Sequence, residues 1–199
     1  MALPAANKRI ALQAGARRAY GELDGAEVVT ALRNLARRIG VHGVTMRALA
    51  AELGAAVPSV YYHVPGKRAA LELLGASVLD DVPEPRGDGW DVRLTNLYCD
   101  AREVILGVPG VAGILQTSGG TEAARRLDGL SRALLAEAGL AKSDVAAAHT
   151  VLYTYLLGSV SLEESRRAAG AVLKKRQEAN RFRSGLHVIV AGVKSFVEA

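Results

Sequence analysis

The chain has 199 residues, half of them apolar, with a formal charge of +5, which is enough material for one or two domains with a real core. Aromatics make up only 5% while Gly is abundant, so few large side chains are available to anchor sheets and the composition leans to an all-α class. The lone Cys99 excludes an intramolecular disulfide, a CxxC redox pair and a Cys-rich zinc site, and it agrees with a reducing, cytoplasmic location.

The basic residues gather at the front. Residues 1–70 carry ten Lys and Arg against four Asp and Glu, whereas the remainder is close to balanced. Such a distribution suits phosphate contact, because each neutralised phosphate releases counterions; a solvated basic surface has the same composition. Residues 1–23 contain Lys8, Arg9, Arg17 and Arg18, with Ile10 and Leu12 the only large apolar side chains between Pro4 and Arg18. This stretch reads as a mobile basic arm or a loose extra helix, either reaching DNA or serving as a leader without a partner. No continuous apolar run follows Lys8 and Arg9, so it does not read as a secretory signal.

Asp24 is placed to cap a helix whose Val28, Leu32, Leu35, Ala36 and Ile39 recur at helical spacing up to Gly40. Thr45 caps a second helix with Leu49, Ala50 and Leu53 on one face, ended by Gly54. Pro58 opens a short third helix, and Pro65 turns Val64 away from helical angles. A longer helix over 67–80 leads into the breaker-rich run from Val82 to Gly89. Further helices are predicted over 90–106, 109–116, 121–137, 143–169 and 182–197, without strand alternation or an internal repeat. The stretch 145–162 has no formal charge if His149 is neutral and approaches a membrane-spanning length. His149, Thr150, Thr154, Ser159 and Ser161 point instead to the buried central helix of a soluble bundle.

Three short helices with a glycine turn between the second and third make a helix-turn-helix, with Leu49, Leu53, Val60 and Tyr61 locking it together. By pattern alone a compact helical hairpin is equally open. The residues add more: Thr45-Met46-Arg47-Ala48-Leu49-Ala50-Ala51-Glu52-Leu53-Gly54, then Val57-Pro58-Ser59-Val60-Tyr61-Tyr62-His63-Val64 and Gly66-Lys67. This run closely resembles, without gaps, the signature of the tetracycline-repressor family of transcriptional regulators. The resemblance implies that Thr45 and Arg47 contact phosphate or a base edge and that Val57, Pro58, Ser59, Tyr62 and His63 face the groove. Tyr61 and Lys67 would grip phosphates, Lys67 at a helix start. The side chains suit those roles: Arg47 can bind guanine bidentately, Ser59 is an adaptable partner, and Val57 and Pro58 suit thymine methyls. Ordinary packing at a helix end would also account for Tyr61, Tyr62 and His63.

Gly89-Trp90, Tyr155-Leu156-Leu157-Gly158 and Phe182-Arg183-Ser184-Gly185-Leu186 with Gly192 are similar, more weakly, to the regulatory domain of such proteins. The expected organisation is therefore an arm (1–23), a helix-turn-helix DNA-binding domain (24–66) and a helical ligand-binding and dimerisation domain (67–199). In the last helix Leu186, Ile189, Val190, Val193, Phe196 and Val197 form one apolar stripe. The resemblance implies that this stripe pairs with the 143–169 helix and with their partner-chain copies, Gly158 and Gly192 permitting close approach. Spacing alone fits core packing within one chain equally.

The same likeness implies a small-molecule inducer enclosed by the body. Trp90, Leu94, Leu97, Tyr98, Ala101, Leu115, Gln116, His149 and Tyr153 supply apolar walls and a few polar tips, although each side chain also suits a core. No His lies between His63 and His149, so the histidine that would hold a magnesium-tetracycline complex is missing and tetracycline is not the expected inducer. No cofactor or metal is expected. GxxxxGK[ST], HExxH and GxSxG are all absent, and Asp144 and His149 are five apart and share no helical face, so no enzyme is expected. The sequence thus predicts a cytoplasmic homodimeric repressor that binds a double-stranded inverted-repeat operator and is released by a small molecule. A DNA-binding regulator governed by a protein partner, or by no ligand, is the alternative, and a helical interaction module without DNA is the third reading.

Overall fold

Asp24 starts the first helix by a double cap: its side chain accepts from Ala26 N, and Glu27 reaches back to the Asp24 backbone, satisfying donors that a helix start leaves open. In this computed structural model, which describes residues 23–117, 120–171 and 174–198, that helix is α1 (Gly25–Ile39). The fold is all-α. α2 (Met46–Glu52), α3 (Val57–His63) and α4 (Lys67–Asp80) follow, then α5 (Trp90–Leu106), α6 (Val111–Thr117), α7 (Glu122–Glu137), α8 (Lys142–Ala168) and α9 (Lys175–Val197). There is no strand among the described residues. The arm expected over 1–23 lies, but for Leu23, outside the described residues.

Val28, Leu32, Leu35, Val44, Leu49 and Val60 are buried together and close the three-helix head. Gly54 makes the α2–α3 turn at φ 61°, a left-handed angle that glycine adopts without strain. α4 packs on α1 and also on α5, α6 and α7, so one helix belongs to both head and body. Two polar ties reinforce that joint. Arg33 on α1 donates to the Ser77 carbonyl at 3.1 Å and pairs with Asp81, and its guanidinium holds the Asp81 carboxyl below the usual range. Val41 N donates to Pro109 O at 3.3 Å.

In the body, Leu74, Leu94, Ile105, Leu135, Leu152 and Leu186 are fully buried. Two predicted boundaries move. α6 begins at Val111 because Gly110 turns at φ 88°. α9 begins seven residues before the predicted 182: this polar first stretch has no apolar period, yet the Gln177 side chain accepts from Lys174 N at 3.1 Å and buried Glu178 pairs with Arg166 at 2.9 Å. α8 is also not the buried central helix expected. It is long and apolar enough to cross a membrane by length and composition, but its Leu152, Leu156, Leu157 and Val160 pack in the core while Ala147, Val151, Thr154, Gly158, Leu162 and Ser165 face outward.

Gly185 on α9 lets Tyr155 of α8 cross beneath it: the Tyr155 hydroxyl donates to the Phe182 carbonyl at 2.9 Å, and the two rings stack with centroids 5.2 Å apart. A methyl at Gly185 would meet that hydroxyl well inside van der Waals contact. Gly185→Ala is therefore expected to cost about 1–3 kcal/mol in denaturant unfolding, and a neutral outcome would mean that the crossing is not as close as described.

Candidate functional site

Two features stand out, one in the head and one in the body. In the head, α3 is held from behind by buried Val60 and Val64, so its outer face is set by helical phase. Pro58, Tyr61 and Tyr62 are exposed, Tyr62 at 73%, and Val57 and His63 lie half-buried at the edges. The Tyr62 and His63 rings meet edge to face at 5.3 Å. Arg47 projects from the first turn of α2, and Lys67 is the exposed first residue of α4. Thr45 is exposed too, but its hydroxyl already accepts from Ala48 N at 3.1 Å as the α2 cap; its structural task is accounted for.

Ser59 departs from expectation. It is 7% exposed, buried beside the open rim and not on it. Tyr61, expected to help lock the head, is half exposed instead. Sequence reasoning passed over Arg37, exposed at the end of α1, and Arg68, exposed beside Lys67 and paired with Glu72 at 2.9 Å; the excess of basic residues in the front third was their signal.

In the body, α5, α7 and α8, with Leu79 of α4 and Leu115 of α6, line a partly open cavity of about 300 Å³. Leu97, Tyr98, Ala101, Leu115, His149 and Tyr153 line it as expected. Trp90, Leu94 and Gln116 do not. Trp90 lies at the start of α5 with the Lys194 Nζ 6.0 Å from its ring centre, Leu94 is sealed in solid core, and Gln116 points off the other side of α6 to donate to Ser161 at 3.1 Å. Ile105, Leu127, Leu156 and Leu157 complete the apolar wall.

The polar part of that wall includes two residues that the sequence reading missed, Asp128 and Ser131 of α7. Ser131 sits on the apolar face of a helix whose Ala123, Leu134 and Leu135 are buried, and a hydroxyl interrupting such a face was the available signal. His149 does not pair with Asp144, as a sequence neighbour could, but with Asp128 at 2.6 Å. Burial holds its imidazole below the ordinary value of 6.5, with Asp128 opposing and Arg132 adding to the effect. Burial also pushes the Tyr98 and Tyr153 phenols up. Among the described residues no group of His, Cys, Asp and Glu could hold a metal ion.

The expected dimer stripe is out of phase. Leu186, Val190 and Val193 are buried in their own chain's core and Ile189 packs against it. The opposite face of α9 carries Ser184, Val188, Ala191, Gly192, Ser195 and Phe196, all exposed, with Val188 at 72% and Phe196 at 68%. Gly158 of α8 is likewise exposed and has open space beside it. Of the residues expected at the interface, Gly158, Gly192, Phe196 and Val197 are thus exposed, whereas Leu186, Ile189, Val190 and Val193 turn to the core of their own chain.

Known proteins share this architecture. The family model described as bacterial regulatory proteins, tetR family, matches residues 28–74, and the tetracyclin repressor-like C-terminal domain matches 82–180. An HTH-type transcriptional regulator of Saccharopolyspora erythraea is 34% identical over 141 residues, which cover 69% of this chain and 59% of the relative; the chain thus spans about three fifths of that curated protein. A crystal structure of a TetR variant from Acinetobacter baumannii AYE with minocycline superposes with TM-score 0.78 at 24% identity, covering 89% of this chain and all of the other. BioQ with its double-stranded DNA operator superposes with TM-score 0.73 at 24% identity, covering 87% of this chain and 99% of that one.

Proposed function

Because the chain belongs to the tetR family of bacterial regulatory proteins, a family of regulators and not of enzymes, we propose that it is a homodimeric repressor that binds an inverted-repeat operator and is released by a small molecule in the cytoplasm. The observation that carries the reading is the open face of α3, where Pro58, Tyr61 and Tyr62 stand clear of a fully packed head between Arg47 and Lys67. A short rigid helix of this kind fits a major groove, with Arg47 placed for a guanine edge and Lys67, Tyr61 and Thr45 for phosphates. Val57 and His63 flank that face. The arm over 1–23, the head over 24–66 and the body over 67–199 remain the working division, α4 serving both of the latter.

Homodimerisation rests on the uncharged outer faces of α8 and α9, which leave apolar side chains in water in a single chain. Pairing them about a two-fold axis would cover Val188, Phe196, Val151 and Leu162 and set two α3 helices for successive grooves, about 34–36 Å apart. The cavity supports the ligand-responsive reading over one with a filled body, since small-molecule pockets begin at about 300 Å³. From the cavity, a hydrogen-bonded route reaches the head. Tyr153 donates to Leu115 O at 2.8 Å at one end of α6; at the other, Gly110 N donates to Glu164 at 2.9 Å and Pro109 O accepts from Val41 N. A ligand that moves Tyr153 would shift α6 and so bias the separation of the paired heads.

The test is fluorescence anisotropy on a duplex selected from bacterial genomic fragments. Lys67→Ala is expected to weaken operator and random duplexes alike and to lower the slope of log affinity against log salt by about one. Arg47→Ala should cost about 1–3 kcal/mol on the operator and relax its sequence preference. Equal losses on operator and random DNA would remove Arg47 from base reading, and absence of salt-sensitive duplex binding by the parent chain would end the proposal.

A further inference from the structure

The polar atoms on the cavity wall form a single chain across three helices. The Tyr98 hydroxyl of α5 lies 2.9 Å from Ser131 Oγ of α7, Ser131 Oγ lies 3.1 Å from His149 Nδ1 of α8, and His149 Nε2 lies 2.6 Å from Asp128 Oδ1. Tyr98 is 4% and Ser131 1% exposed, and all four residues border the cavity.

Counting hydrogens sets the direction of every bond. An ionised Asp128 can only accept, so Nε2 carries a proton. With a neutral imidazole, Nδ1 is an acceptor. Ser131 then gives its one hydrogen to Nδ1, and Tyr98 must give its hydrogen to Ser131. Every hydrogen in the chain is committed, and the Tyr98 oxygen offers the cavity lone pairs only. A second proton on the imidazole makes Nδ1 a donor to Ser131 and releases the Ser131 hydrogen; passed on to the Tyr98 oxygen, it lets the Tyr98 hydrogen turn into the cavity. Protonation at His149 thus converts a buried acceptor into a buried donor some distance away.

The surroundings select the first state near neutrality. Burial lowers the His149 imidazole and Arg132, bonded to Asp128 at 2.8 Å, assists, while Asp128 opposes. α7 also brings Arg125 to the cavity border, α5 brings Tyr98, and α8 itself brings Tyr153; burial keeps both phenols protonated. From α4 and α6 the lining residues are Leu79 and Leu115, which do not titrate.

Resting on the reading of this cavity as the effector site, we infer that the effector is a neutral, mostly apolar molecule that brings a phenolic or alcoholic hydroxyl hydrogen to the Tyr98 oxygen. A ligand with only an acceptor or a carboxylate at that end enters with uptake of one proton at His149. A buried lone pair left without a donor is costly, so the wall discriminates by hydrogen-bond polarity as well as by size.

The experiment titrates the full chain by calorimetry with three probes of one ring system: naphthol, methoxynaphthalene and naphthoate. At about pH 8, naphthol is expected to bind roughly tenfold more tightly than methoxynaphthalene, and Tyr98→Phe should abolish the difference. Naphthoate should gain about tenfold per pH unit as pH falls toward the free His149 value, with one proton taken up per ligand. Naphthol, which needs the neutral imidazole, should hold its affinity over that range and weaken only below it. His149→Gln should remove both pH effects. The comparison of probes on the parent chain needs no variant to fold. Equal affinity for naphthol and methoxynaphthalene, or naphthoate binding without proton uptake, would overturn the polarity inference and leave the cavity as an effector site. Failure of all three to bind would overturn the cavity reading and this one with it.

Discussion

Val188→Asp is expected to yield a folded monomer whose operator affinity has fallen by about two orders of magnitude or more. Val188 is 72% exposed and contributes nothing to the core of its own chain, so a carboxylate there is fully hydrated in the monomer. In the proposed dimer it would be buried near its own symmetry mate, bringing like charges together and desolvating both. A head docked alone then forfeits the advantage of the linked second head, which is worth about 10²–10⁴ in affinity. Sedimentation, circular dichroism and anisotropy on one preparation check all three parts. A variant that remains dimeric would move the interface elsewhere; a monomer with unaltered operator affinity would dispense with the dimer as the binding unit.

Glu163→Ala is expected to produce the largest loss of stability. Glu163 on α8 and Arg102 on α5 are each 2% exposed and pair directly, while Arg167 and Glu103 bond the two ends and Phe182 lies 5.5 Å beneath the Arg102 guanidinium. Removing the carboxylate leaves a guanidinium in the core with only the half-exposed Glu103 as counter-charge. Breaking such a pair from one side costs about 3–5 kcal/mol, a large part of the roughly 5–15 kcal/mol that holds a typical domain together. For a chain of this size the Tm should fall by roughly 6–20 °C at constant protein concentration. Replacing both partners, Arg102→Met with Glu163→Leu, should recover much of the loss, because neither charge then needs solvating. A loss below about 1 kcal/mol in Glu163→Ala would mean that water reaches the pair.

The pair also marks where sequence reading stopped. Glu163 sits at the end of a long uncharged run and has no apolar neighbour pattern to announce a buried acid; its partner lies 61 positions away. Asp128 and His149 present the same difficulty. They belong to separate helices, and helical spacing rules out Asp144, the nearest acid on the His149 helix, without naming Asp128 in its place. On α5 one helical face brings Leu97, Tyr98 and Ala101 to the cavity, while Leu94, on the same face one turn earlier, is sealed in the core. The expectation also failed at Trp90 and Gln116, whose orientation depends on Lys194 and Ser161.

Local chemistry was enough for the helices themselves. Asp24, Thr45 and Thr121 cap the helices they precede, and Gly54, Gly66 and Pro65 place the breaks around α3, because capping and breaking act over three or four residues. The motif around α2 and α3 was legible for the same reason. What only the tertiary structure decided was which way an apolar stripe faces. Leu186, Val190 and Val193 would bury equally well against a second chain or their own, since transfer from water is non-directional. Packing against α5 and α8 settled that choice and turned Val188 outward. Ser59 is a second case: beside the open rim of α3, only the packing of the head decided that it is buried.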